Sequence, residues 1–222
     1  MHRLFAVPSE RRPDRVKDYI TIEGEAAAEF VERKSRFIGR SRHVETETEA
    51  LAFVEQLKKQ HWDAAHNVFA YSLREGQLKR CSDDGEPQGT AGVPVLDVLQ
   101  KSGVVDVCMV VTRYFGGILL GAGGLVRAYS HGASIALDAA KKLHMTPCTR
   151  LSAEMDYSWY GKVSYILPRY NILTEETSFT DRVALTLLIK SSRKEAFLKE
   201  IVELTNGTVV PKEIVEEYAD MQ

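Results

Sequence analysis

Cysteine is scarce in this 222-residue chain, and its placement excludes two architectures at once. Cys81, Cys108 and Cys148 are odd in number, far apart and free of any CxxC pair. A disulfide framework and a zinc knuckle are both excluded, and a reducing, cytoplasmic setting is expected. Long apolar runs are also lacking. The longest, Val104 to Val111, is interrupted by Asp106 and is far too short to span a bilayer. Met1 to Pro8 has no apolar core of a signal peptide, so no membrane association is expected. A dominant charge is missing too. The formal net charge is −2, so a nucleic-acid surface would have to be local. No HExxH motif is present, and no Ser or Cys stands in a nucleophile elbow.

What remains is an ordinary globular composition, 44% hydrophobic and 27% charged, long enough for two domains. Residues 1–18 are rich in Arg, Pro and Asp without periodicity and read as an extended or poorly ordered lead-in. Strand is expected at Tyr19 to Gly24, around Phe30, at Arg33 to Ile38, at His43 to Val44 and at His66 to Leu73. Thr46 and Glu49 form a capping box that opens a helix to about Gln60, with Leu51, Val54 and Leu57, beside Phe53, as its buried stripe. Ser82 to Gly92 is a loop, Val93 to Gln100 a short helix, and β-branched Val104 to Val111 a buried central strand. A helix is expected from about Leu125 to Leu143, its small residues Ala128, Gly132, Ala136 and Ala139 permitting close packing on a sheet.

Met145-Thr146-Pro147 reads as a linker. The expected division is 19–144 for the first domain and 148–222 for the second. Beyond the linker the expected order is strand, helix, strand, strand, helix, strand: Arg150 to Tyr157, Tyr160 to Tyr170, Asn171 to Phe179, Arg182 to Ile189, Ser192 to about Leu204, and Gly207 to Tyr218. Ser192 and Glu195 read as a second capping box, and Asn206-Gly207 as the end of the helix. This β-α-β-β-α-β order is ferredoxin-like.

Four segments carry candidate chemistry. Asp83, Asp84 and Glu86 could hold a hard cation through oxygen, or serve as turn formers in an ordered loop. The Gly116, Gly117, Gly121, Gly123 and Gly124 segment precedes a helix. It could present backbone N–H groups to a phosphate, or allow close backbone approach. Lys34, Arg36, Arg40 and Arg42 would share one face of a strand opposite Phe37. They suit either a phosphate backbone or a charged edge strand. His66, beside Asn67, could be a base or a structural residue.

Lys34-Ser35-Arg36-Phe37-Ile38, Ala65-His66-Asn67, Asp83-Asp84-Gly85-Glu86-Pro87 with Gly89-Thr90-Ala91-Gly92, and Arg113-Tyr114-Phe115-Gly116-Gly117 with Leu120-Gly121 together resemble the YigZ/IMPACT family, in order and in approximate spacing. The match spans about residues 18–142, and residues 150–218 resemble the second domain of bacterial members. Gln88 departs from the smaller residue, such as Ser, that many members carry. The resemblance implies an α+β protein. Its N-terminal α/β sandwich would be similar to domain IV of elongation factor G, and its ferredoxin-like C-terminal domain similar to domain V. Both relatives meet the ribosome and RNA. In eukaryotic members the shared domain accompanies control of translation, by interfering with activation of a stress-responsive initiation-factor kinase.

The expected function is therefore a non-enzymatic regulatory protein that binds the translation machinery, with the ribosome, structured RNA or a translation-associated protein as partner. No cofactor or metal is expected, and a monomer or small homo-oligomer is. Lys34, Arg36, Arg40, Arg113 and Arg127 would contact phosphates, and Tyr114 or Phe115 could stack on a base, core packing being the other role for each aromatic. The alternative is an enzyme or binding protein for a phosphorylated or nucleotide ligand. It would use the Gly-rich loop, His66 as a base, and Asp83, Asp84 or Glu86 at a metal. A third reading makes the second domain a protein-docking module, since residues 150–222 carry 9 Lys/Arg against 12 Asp/Glu.

Overall fold

The computed structural model describes residues 5–6 and 17–221 and divides into two compact units. The unit Tyr19–Leu143 is built on a five-stranded antiparallel sheet. Its elements are β2 (Tyr19–Ile22), β3 (Glu25–Glu32), β4 (Ser35–His43), α1 (Glu47–Gln60), β5 (His66–Ser72), β6 (Lys79–Ser82), α2 (Gly92–Ser102), β7 (Val107–Tyr114) and α3 (Ala122–Asp138); β1 is the strand Phe5–Ala6 at the N-terminus. The sheet order is β3-β4-β7-β5-β6.

The unbroken apolar run of β7 follows from its central place. Val107, Met109 and Val111 join the core beneath α2 and α3, while Cys108 and Val110 join the core beneath α1. A strand buried on both faces has no reason to alternate. The strand is displaced from its expected span of Val104 to Val111 and carries Arg113 and Tyr114, so these belong to the sheet and not to the loop.

The thiols of Cys108 and Cys148 are pushed up by burial to about 12 and about 11, and no cysteine is paired.

Several expectations change. Arg33 and Lys34 are not strand. Both have positive φ, 45° and 64°, and form the two-residue turn of the β3–β4 hairpin, the geometry that matches strand twist. Thr46 does form the capping box, but the buried stripe of α1 is Ala50, Phe53, Val54 and Leu57, with Leu51 43% exposed. The helix α3 ends at Asp138. Its small face packs as expected: a Cβ on Gly39 of β4 would lie 2.1 Å from the Gly132 oxygen.

The second unit has β8 (Lys142–Met155), α4 (Tyr157–Ile166), β9 (Leu173–Phe179), β10 (Val183–Lys190), α5 (Ser191–Leu204) and β11 (Lys212–Asp220). Its order, β11-β8-β10-β9 with antiparallel neighbours, is the ferredoxin-like topology. Met145-Thr146-Pro147 is not a linker but lies inside β8. Pro147 precedes Cys148, the first β8 residue in register with β10, so its missing N–H interrupts no bond of that pair. The lead-in is more than a tail at one point: β1 pairs with β11, Phe5 opposite Tyr218. The rest of the lead-in before Lys17 lies outside the described residues. Ser192 caps nothing, because α5 starts directly from β10 and Ser192 is already inside it.

Candidate functional site

The family-like segments converge at one end of the N-terminal sheet, where β4 and β5 begin and β7 ends. Register brings them there: Arg36 lies opposite Tyr114, and His66 opposite Arg113. Each face of this end has its own groove.

On the α2–α3 face the centre is a buried ion pair. Arg113, 5% exposed, donates from Nη1 to Glu86 Oε1 at 2.6 Å. Glu86, 8% exposed, also accepts the Tyr129 hydroxyl at 2.8 Å, and His66 Nε2 lies 3.8 Å away. Burial first, then the Glu86 charge, holds the Tyr129 hydroxyl well above its usual range. The Asp84 carbonyl accepts from His66 Nδ1 at 2.8 Å, which fixes the proton on that nitrogen. Ser35 Oγ lies 3.5 Å from Arg113 Nη2 and accepts the Gly116 N–H at 3.2 Å. Gly116 must lack a side chain, since a Cβ would meet the Lys34 carbonyl carbon at 2.0 Å.

The acidic loop is consumed by the protein itself. Asp83 accepts from the N–H groups of Gly89, Ala91 and Gly92 at 2.9, 3.1 and 2.8 Å. Burial alone would raise its carboxyl, but these three bonds hold it below the ordinary value. Asp84 accepts the Asn67 N–H at 2.6 Å and pairs with Lys58 at 2.9 Å. Asn67 in turn accepts the Thr112 hydroxyl at 2.8 Å. No group of three or more His, Cys, Asp and Glu side chains among the described residues is arranged to hold a metal.

Arg113, expected to contact phosphate, is not available at the surface. Arg113 is an internal anchor. Lys34, at the hairpin turn, and Arg127, on α3, are exposed and carry no ion pair or side-chain hydrogen bond among the described residues. Arg127, Arg33, His131, Phe30 and Leu120 border a groove of about 480 Å³. Gly121, with φ of 72°, starts α3, and Gly117 takes φ of 83°; Gly123 and Gly124 lie in the first turn.

On the α1 face, Arg36 is held by Glu29 at 2.5 Å, and Arg40 and Arg42 by Glu25 at 3.6 and 2.6 Å, so the cation row is largely neutralised by β3. Tyr114 is tied down as well, donating to Asp63 at 3.1 Å. Burial first, then Asp63, raises its hydroxyl.

Phe115 is not core: it is 50% exposed. Trp62, which the sequence reading passed over, is 82% exposed in the turn between α1 and β5. The signal for it was a Trp amid the polar turn residues Gln60, His61 and Asp63. Ser35 stood in a family-like segment without a role of its own and Tyr129 was not singled out, because their roles arise from contacts more than forty residues away.

Comparison with known proteins agrees with this layout. The family model for the Impact N-terminal domain matches residues 33–137, and that of a domain of unknown function, DUF1949, matches residues 154–208. The chain is 42% identical over 190 residues to the IMPACT family member YvyE of Bacillus subtilis, covering 85% of this chain and 88% of the relative. It is 34% identical over 180 residues to the IMPACT family member YigZ of Escherichia coli, covering 80% and 88%. A solved structure described as "Crystal structure of an hypothetical protein" matches with a TM-score of 0.58 at 31% identity, over 89% of this chain and 97% of that one. No helix among the described residues is long and apolar enough to cross a membrane.

Proposed function

The chain belongs to the IMPACT family, and from that premise we propose that it is a non-enzymatic regulatory protein that binds the translation machinery through RNA. The observation that carries the reading is the surface at the convergent end of the sheet. There Lys34, whose backbone packs against Gly116 next to the exposed ring of Phe115, and Arg127 on α3 are exposed and uncommitted, and Trp62 is exposed in the turn after α1. Cations that track phosphates beside rings that stack on unpaired bases are the usual means of holding single-stranded RNA. The buried Arg113–Glu86–Tyr129 network beneath this surface supplies no free nucleophile. Its role is to hold the turn, the Gly-rich loop and α3 in one arrangement.

Co-sedimentation with ribosomes and separated subunits across a salt series tests the proposal. Saturable binding that persists near physiological salt is expected. The Lys34→Glu/Arg127→Glu double variant should lose most of it, and its salt slope should fall by about two. Unchanged binding in that variant, or binding confined to low salt, overturns the assignment.

A further inference from the structure

The groove on the α1 face has a chemistry that the contacts within the chain leave incomplete. It measures about 250 Å³, below the ~300 Å³ at which drug-sized ligand pockets begin. Ala27, Ala28 and Ile38 form its apolar lining, and Arg36, Arg40 and His61 bring nitrogen to it. Arg36 is committed to Glu29 through Nε and Nη2. Arg40 is not committed in this way: its contact with Glu25 is a 3.6 Å ion pair, beyond hydrogen-bond distance, and its buried Nε has no partner.

His61 is 8% exposed, and its Nε2 is likewise buried and without a partner. Its other nitrogen settles the protonation. The Tyr114 hydroxyl spends its one proton on Asp63, so it must accept from His61 Nδ1, 2.9 Å away. In the neutral ring Nε2 is then a bare lone pair beside two guanidinium groups. In the protonated ring it is a third donor beside them.

A half-buried guanidinium edge that lacks an acceptor, beside a buried and unpartnered imidazole nitrogen that becomes a donor on protonation, is matched by a compact oxyanion. We infer that Arg36, Arg40 and protonated His61 form a binding site for a phosphate oxyanion, which enters together with a proton. The inference deepens the reading above by giving a phosphate its protein ligands. The anion comes either from free phosphate and its monoesters or from the RNA backbone.

The charges around His61 give the pH dependence. Burial, then Arg40, and to a lesser extent Arg36 hold the imidazole below its usual range, while Asp63 opposes them. Glu29 lines the groove from β3, and Tyr114 faces His61 from β7. In the free protein the ring is therefore neutral at pH 7. A bound dianion offsets the two arginines and favours the imidazolium, so binding raises the pKa of His61 and affinity grows as pH falls, by at most about tenfold per pH unit for one proton.

The test is imidazole nitrogen NMR of the full chain between pH 8 and 5.5, titrated with sulfate, which stays a dianion throughout, and with inorganic phosphate. His61→Gln assigns the signal. Saturable movement of the His61 Nε2 resonance is expected, together with a raised apparent pKa for His61 and tighter binding at lower pH. Arg40→Gln should weaken sulfate binding by about tenfold or more. Should that variant not fold, Arg40→Lys, which keeps the charge and loses the fork, should weaken it measurably.

If chloride at matched ionic strength moves the resonance equally, or if saturating sulfate leaves it in place, the inference is overturned, even where ribosome binding survives. Conversely, sulfate binding without ribosome binding supports the site and removes only the translation reading. A single-stranded RNA oligonucleotide that displaces sulfate identifies the backbone as the source, and displacement by a phosphomonoester alone identifies a free ligand. Either outcome supports the site.

Discussion

Arg113 shows how one residue's role turns on what surrounds it. An arginine beside two aromatics and two glycines reads as a surface cation, and the resemblance strengthens that reading. Burial reverses it: the guanidinium lies beneath the surface, shared between Glu86, Ser35 and the rings of Phe37 and Phe115. A buried pair is costly to break because the abandoned charge stays in a poor solvent. Glu86→Gln should therefore destabilise the protein by about 3 kcal/mol, read as a lower urea midpoint at unchanged slope. A loss below about 1 kcal/mol, typical of a surface pair, would show that the network is not an anchor. Nothing in the sequence around Glu86 names its partners, since Arg113 and Tyr129 lie 27 and 43 positions away.

Helix starts show the same division at the next scale. Two α-helix starts carry an S/T-x-x-E pattern, and one is a capping box while the other is not. Thr46 stands in an extended segment ahead of α1, with φ of −127°, and so can turn its hydroxyl onto the Glu49 N–H. Ser192 follows a strand that passes straight into its helix, so the cap position falls to Lys190, the last residue of β10, whose side chain has no oxygen to accept an N–H. The start of α2 carries no local cap at all. Asp83 supplies it from nine residues upstream, bonding the Gly92 and Ala91 N–H groups. Asp83→Asn should cost about 1 kcal/mol at pH 7, because both carboxylate oxygens accept N–H groups and the amide nitrogen of Asn cannot. The sign of its pH dependence follows from the lowered carboxyl in the folded state. The stabilisation is complete above the ordinary carboxylate pKa and fades as pH falls through the lowered folded value. Urea midpoints of variant and parent should therefore converge on the acid side. A constant gap down to pH 2 would assign the effect to shape and not to charge.

For the whole molecule, the RNA contact proposed above is assigned to Tyr19–Leu143, because residues 150–222 are net acidic and the free cations Lys34 and Arg127 belong to the N-terminal unit. A fragment of residues 19–143 should fold cooperatively and bind a single-stranded oligonucleotide with the salt slope of the full chain, measured by fluorescence anisotropy. A slope smaller by two or more would mean that the second unit contributes phosphate contacts of its own. The α+β class, the central β7, the capped α1 and the ferredoxin-like order could all be read from the chain, because periodicity, β-branching and turn residues act over a few neighbours. The family was legible from short segments whose residue types and order are specific. Long-range pairing decided the rest. It turned Arg33 and Lys34 into a hairpin turn, drew Met145 to Pro147 into β8, joined Phe5 to the last strand, and sorted the cations into those that are spent and those that are free. Whether a charge meets a carboxylate, a ring or water depends on which strand lies beside it, and only the assembled sheet sets that.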